Sequence, residues 1–395
     1  MPPSVALTSK RLFVASSTGL VFPAEVLGDV IFLACGNFCD RPDAYDDIRN
    51  TFLLVCKAWY RLVAQDARFW SGLYVDRTTG IKLVNTTFRR ARGRPVHLHL
   101  NARTHILGQT NFDQNFDVLR PVLDRVVHQI GRLTVDATDR SGAETLFKWM
   151  EASHGRNVRH LELIIGTSNP PNPFLVDRDL LAFSTLDTMV QRFSHLLIPH
   201  AHASTLRRLH LGPVPRSRCE HCWEDIILFL EECVQVTHLV LDNIQCGDSS
   251  PPGVLVRTLC SMPSVTHLAF ICDSYGGSGL WTALRVPNVR VLEFVSPSTY
   301  VDLVSGADPD MFNPSLCDVE VLALRMPIPS TLAMKNILAN YPRLVRLDLR
   351  RCWRTTVLAL VDMRPFVSAP LCPHLLSIHV GNQLSTSQVI RVIGG

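Results

Sequence analysis

The chain is poor in charge and has no long apolar run. Charged residues make up 19% of its 395 residues and hydrophobic ones 47%. That balance excludes a largely disordered protein and supplies enough apolar surface for a sizeable core. With 39 basic and 35 acidic residues the net charge is +4, a small excess that calls for no nucleic-acid partner. No stretch approaches the roughly 18 uninterrupted apolar residues of a membrane-spanning helix. Residues 1–20 are polar and carry Lys10 and Arg11 among their apolar patches, so they lack the apolar centre of a secretory leader. The twelve cysteines are scattered, with no dense framework, and read as reduced thiols. The expectation is a soluble cytoplasmic or nuclear protein, with no membrane or nucleic acid as partner. Motifs of catalysis are missing too. There is no Gly-rich phosphate loop, no Gly-x-Ser-x-Gly and no His-Glu-x-x-His. Cysteines and histidines are plentiful enough to pair, but no spacing selects a pair. The chain is expected not to be an enzyme and to need no cofactor.

What is present is a recurrence. The pattern apolar-x-x-Leu-x-apolar occurs nine times, as in Val236-Thr-His-Leu239-Val-Leu241 and Val265-Thr-His-Leu268-Ala-Phe270. Its central positions are 133, 161, 209, 239, 268, 292, 322, 347 and 378. All intervals lie between 24 and 31 residues except the 48 between 161 and 209. A period in this range marks stacked strand-plus-helix units. Helical returns fit between the strands at 143–150, 223–233, 254–260 and 332–338. The long interval carries Asn169-Pro-Pro-Asn-Pro173 and reads as an inserted loop followed by a helical stretch, 175–186, in preference to a repeat that has lost its pattern. Val96-His-Leu98-His-Leu100 alternates at period two and reads as an opening strand.

The front of the chain differs. Residues 1–20 read as a loose tail and 21–75 as a compact helical module. Apolar residues at 22, 26, 27, 30, 31 and 33 have helical spacing. Pro23 and Glu25 suit a helix start. A loop over 36–43 leads to a second helical pattern, 44–63, through Ile48, Phe52, Val55, Trp59 and Leu62. Phe69, Trp70 and Leu73 form a short third piece. Residues 76–95 read as a basic linker containing Arg89, Arg90, Arg92 and Arg94.

Within each repeat, period two sends the Leu and the last apolar residue inward and the intervening residues to the opposite face. That face is expected to carry His160 and Glu162, Arg208 and His210, His238, His267, and Arg346 and Asp348. His160, Arg208, His238 and His267 are expected to stack in one column. The column reads either as a ligand-facing stripe or as ordinary solvated strand positions, and the solvated reading is preferred. Cys219-Glu-His221-Cys222 has the spacing of metal ligands but lacks a second pair, so a repeat-end loop with ordinary thiols is preferred.

At residues 21–75 the pattern resembles an F-box. The residues that carry the likeness are Pro23-x-Glu25-Val26-Leu27-x-x-Val30-Ile31-Phe32, then Val55-Cys56-Lys57-x-Trp59-Tyr60-Arg61-Leu62, then Phe69-Trp70. The remainder resembles the divergent leucine-rich repeats found behind F-boxes, especially in large fungal families. Phe22 stands where the family has Leu, and the gap from Leu33 to Val55 is long, as though the loop around 36–46 were enlarged. The Asn or Cys of standard repeats is met only at Cys352.

The resemblance implies a three-helix F-box followed by an irregular leucine-rich-repeat solenoid over 96–395, a horseshoe with a parallel concave sheet. It implies a substrate-recognition subunit that docks a Skp-type adaptor, and through it a cullin scaffold with a RING-bound ubiquitin-conjugating enzyme. The repeats would capture an unknown substrate protein. Carried onto this chain, the adaptor-facing residues are Phe22, Pro23, Val26, Leu27 and Ile31. Val55, Trp59 and Trp70 either contribute or hold the helices together. The competing readings are a non-degradative repeat scaffold and a receptor whose Arg/His column holds a small anion.

Overall fold

In the computed structural model the chain divides into two compact units, Met1–Val158 and Arg159–Gly395. The structure describes residues 13–15, 21–102, 111–137, 146, 149, 157–165, 185–192, 202–213, 223–244, 260–271, 284–295, 318–325, 331–350 and 372–380. Both units are mixed α/β and contain parallel strands, twelve of which belong to one large parallel sheet.

In the first unit, strands β1 (Phe13–Ala15) and β2 (Val21–Pro23) pair antiparallel. Pro23 leads into helix α1 (Ala24–Cys35), which Gly36 ends at φ 74°, a conformation that favours glycine. Helix α2 (Pro42–Val55) starts on its proline, where the missing N–H is harmless. The loop is therefore confined to residues 36–41, and the long gap is filled by helix. The single helix expected over 44–63 is in fact two. It breaks at Cys56, extended at φ −163°, before α3 (Lys57–Gln65). No Pro or Gly lies between Ala44 and Val63, so no local residue announces the break. The rings of Phe52 and Trp59, 5.7 Å apart, pack across it.

A short 3₁₀ turn, Ala67–Trp70, follows, with the Asp66 carboxylate accepting from the Arg68 backbone N–H. Its last residue, Trp70, is buried and binds the module together. The indole Nε1–H donates to the Val63 carbonyl at 2.8 Å. The guanidinium groups of Arg49 and Arg90 lie over its ring, 4.1 and 4.5 Å from the centroid. Arg49 has no exposed surface; it donates to the Phe69 carbonyl at 3.2 Å and pairs with Asp46 at 2.6 Å. Burial pushes the Asp46 carboxyl up and the Arg49 guanidinium down, and the charge of each opposes the shift in the other.

The segment read as a basic linker is ordered. Strand β3 (Gly72–Val75) is followed by helix α4 (Ile81–Ala91), which buries Val84, Thr87, Phe88 and Ala91 on one face. Arg89 and Arg90 occupy its last turn, where cations suit the helix dipole. Arg92 and Gly93, at φ 53° and 78°, then turn the chain out. Strand β4 (Val96–Ala102), helix α5 (Asn111–Val126) and strand β5 (Ile130–Ala137) follow. Helix α5 buries Phe112, Phe116, Leu119 and Leu123. The three strands β3, β4 and β5 are parallel, with Leu73, Leu98 and Leu133 in register.

The second unit is dominated by parallel strands: β6 (His160–Ile165), β7 (Thr188–Arg192), β8 (Arg208–Leu211), β9 (His238–Asp242), β11 (His267–Ile271), β13 (Val291–Val295), β14 (Val321–Arg325), β15 (Arg346–Leu349) and β16 (Ser377–Val380). Two short strands, β10 (Cys260–Ser261) and β12 (Leu284–Arg285), pair separately. Helices α6 (Trp223–Glu232) and α7 (Thr331–Ala339) match two of the expected returns. The pattern centres Leu161, Leu209, Leu239, Leu268, Leu292, Leu322, Leu347 and Ile378 share one register row, joined by Met189. All but Ile378 are buried. Strand β7 corrects the reading of the long interval, which holds a strand with a faded pattern.

Two outcomes test this packing by denaturant titration. Leu239→Ala costs about 2–5 kcal/mol, since it opens a cavity in the row; an unchanged midpoint would show that the register is wrong. Asp46→Ala costs about 3 kcal/mol by leaving Arg49 buried without its counter-charge, and a neutral result would remove the pair from the core.

Candidate functional site

Two surfaces carry the sequence-derived candidates, one in each unit. In the first unit the surface is the outer side of α1. Gly28, Ile31 and Cys35, at i, i+3 and i+7, face the interior. Arg68 ties the helix down by a 2.7 Å bond to Asp29, and the Phe32 ring meets Phe69 edge-on at 5.5 Å. The same geometry leaves Val26 (44% exposed), Val30 (56%) and Leu33 (77%) outside. Their spacing of four and then three residues makes one apolar stripe. At the end of α2, Leu54 and Val55 are exposed as well, and so is Tyr60 on α3.

The expected adaptor-facing residues therefore separate. Pro23, Val26 and Val55 are exposed, while Leu27 and Trp59 are half-buried. Phe22 lies in β2 opposite Val14, and its side chain lies outside the described set. Ile31 and Trp70 are core residues, because α1 packs through Ile31 and the Arg49 and Arg90 guanidiniums cover Trp70. Val30 and Leu33 take the surface place expected of Ile31. Four consecutive large apolar residues, Val30 to Leu33, hide the facing from a period argument.

In the second unit the candidate is the polar face of the strands. Register places Thr188 between His160 and Arg208, so the expected column of four is interrupted. Arg208, His238 and His267 do stand on adjacent strands. Arg208 is exposed, and His160, His210, His238, His267 and Arg346 are half-buried. The imidazoles of His238 and His267 stack, 5.2 Å between centroids and 18° from parallel. Thr237 Oγ1 lies 2.9 Å from His238 Nδ1.

Much of the charge on this face is paired, across strands or, for Asp348, with Arg350 just beyond its own strand. Glu162, buried, meets Arg192 at 3.3 Å. His210 Nε2 lies 3.4 Å from Asp242. Glu293 forms an ion pair with Arg325 at 3.3 Å and stands 3.7 Å from His267 Nε2. Asp348, also buried, receives Arg350 through both Nη2 (2.6 Å) and Nε (3.0 Å), and this bond holds its carboxyl below the usual carboxylate range. The sequence reading missed Arg192, Asp242 and Arg325. They occupy the next outward position of the same alternation, and extending period two by one step finds them.

Among the described residues no three His, Cys, Asp or Glu side chains gather as a metal site, and no helix is long and apolar enough to cross a membrane. Cys219, His221, Cys222 and Cys352 lie outside the described residues.

The stacked imidazoles have a consequence for stability. Burial, then the neighbouring His267 and Arg208, holds His238 below its ordinary value of 6.5. Burial also holds His267 down, against the pull of Glu293. As pH falls through 6.5 the unfolded chain takes up protons first, so the native state loses stability from there downward. The unfolding midpoint is expected to drop between pH 7.5 and 5.5, and to drop less in His238→Gln. An identical drop in the variant would assign the acid sensitivity to other groups.

Comparison with known proteins adds little to this geometry. No protein-family model matches the chain, and no curated protein matches it. Among solved structures, the chain is similar to a protein from Bacteroides fragilis at a TM-score of 0.37 and 11% identity, covering 71% of this chain and 80% of that one. A likeness at that score carries no argument about fold or function.

Proposed function

We propose that this chain is the substrate-recognition subunit of a Skp–cullin–F-box type ubiquitin ligase. Its helices α1 to α3 act as the F-box, and helix α1 docks the Skp-type adaptor through Val26, Val30 and Leu33. The parallel strands of the second unit act as an irregular leucine-rich-repeat solenoid whose polar face meets the substrate protein. The chain transfers no group itself; it raises the concentration of substrate near the conjugating enzyme.

The observation that carries the reading is the apolar stripe on α1. The described residues leave it largely exposed, and contiguous apolar surface in water is a liability unless something covers it. A helix presenting i, i+4 and i+7 anchors suits docking against an apolar partner groove. The identity of that partner comes from the sequence resemblance over residues 21–75. The polar face favours a protein over a small anion. Its carboxylates accompany most of its cations, and its two stacked histidines resist protonation.

The test is a pull-down of the full chain with a purified Skp-type adaptor, beside Val26→Asp/Val30→Asp. Ile31 is left intact, since a charge there would strike the core. The wild type is expected to bind. The variant is expected to lose on the order of 2 kcal/mol per anchor while unfolding at an unchanged temperature. A folded wild-type chain that does not retain the adaptor overturns the proposal.

A further inference from the structure

The loop between α1 and α2 brings a thiol to a histidine 58 positions away. Cys39 is exposed, and its Sγ lies 3.6 Å from Nδ1 of His97. On the other side of the ring, Nε2 lies 2.8 Å from the hydroxyl of Thr134, which is buried on β5. We propose that Cys39 is a base-assisted reactive thiol, a site of covalent modification by small-molecule disulfides, with His97 as its base and Thr134 positioning the imidazole.

The loop is held in place for this role. Phe38, next to Cys39, is buried with its ring edge-on to His97 at 4.8 Å and to Tyr45 at 5.2 Å. Gly72 makes room beneath it, because a Cβ there would come within 2.4 Å of the Phe38 ring. On its other flank, the Cys39 backbone N–H donates to Asn37 Oδ1 at 3.1 Å. The thiol is thus fixed beside the imidazole and still open to solvent. A neutral imidazole carries one N–H. When Nε2–H is donated to the Thr134 hydroxyl, Nδ1 is left as the acceptor that faces the thiol.

The thiolate is the nucleophile of disulfide exchange. The Cys39 S–H proton moves to Nδ1 of His97 as the sulfur attacks one sulfur of a disulfide R–S–S–R. The S–S bond of the reagent breaks and Cys39–S–S–R forms. The departing R–S⁻ takes the proton back from the imidazolium and leaves as R–SH. The Cys39 sulfur is oxidised and the departing sulfur is reduced, so the small disulfide is the oxidant. The other thiols of the unit differ. Cys35 is buried, and burial pushes it up to about 11. Cys56 is exposed at the start of α3 and supplies an internal standard.

The experiment treats the full chain with 5,5′-dithiobis(2-nitrobenzoate) between pH 5.5 and 8.5 and follows each cysteine by peptide mass spectrometry. Cys39 is expected to react on the order of tenfold faster than Cys56 at pH 6.5, with its rate rising at a lower pH. His97→Gln is expected to bring Cys39 to the rate of Cys56 and to leave Cys56 unchanged. Equal rates and equal pH profiles for the two wild-type cysteines overturn the proposal, and that comparison needs no variant to fold. A His97→Gln chain whose Cys39 keeps its advantage overturns it also. Neither outcome depends on adaptor binding.

Discussion

The second unit depends on one constraint, the shared register of its parallel strands. Leu161, Met189, Leu209, Leu239, Leu268, Leu292, Leu322 and Leu347 form a single buried row. Each Leu removed from water contributes roughly 1.5–3 kcal/mol, and a slip of one residue would turn the whole set outward. The polar face follows from the same constraint. Once Leu239 and Leu241 point in, His238, Val240 and Asp242 must point out. Cross-strand pairs such as His210 with Asp242 and Arg325 with Glu293 then arise because register sets them on neighbouring strands.

The first unit is organised around Trp70. Three elements converge on it: Arg49 from α2, the Val63 carbonyl from α3 and Arg90 from α4. A buried guanidinium is costly, and Arg49 meets that cost with Asp46, the Phe69 carbonyl and the indole ring. This arrangement explains why residues 81–91 are a helix of the core even though their charge resembles a linker. Arg89 and Arg90 sit at the helix end that favours them, and Arg90 reaches back to the ring.

The strands were legible because period two is enforced by burial at every repeat. Strand β7 escaped because its pattern, Leu186-Asp-Thr-Met189-Val-Gln191, ends on a polar residue that the fold nevertheless buries. The break at Cys56 escaped because no Pro or Gly lies near it and Val55 and Cys56 disfavour helix only mildly; the Phe52 and Trp59 rings pack across it. On α1 the sequence marked an apolar helix but not which side is covered. Propensity is silent on that, and the surface residues Val30 and Leu33 emerge only once Ile31 and Cys35 are placed inside. The Cys39 and His97 pair was illegible for a different reason. Many cysteine and histidine pairs are possible in this chain, and these two lie 58 positions apart, with helices and a strand between them.

Residues the fold leaves unexplained are the informative ones. Ile31 and Trp70 have the apolar character that the F-box resemblance values, yet the module's own packing accounts for both. Val30, Leu33 and Leu54 have the same character, and no packing among the described residues accounts for them, since each is more than half exposed. An apolar side chain in the core answers to stability, where substitutions that keep volume are tolerated best. One left in water contributes little to stability and raises the risk of aggregation. The alignment of Val30 and Leu33 along one face of α1 is what the proposed adaptor contact would explain.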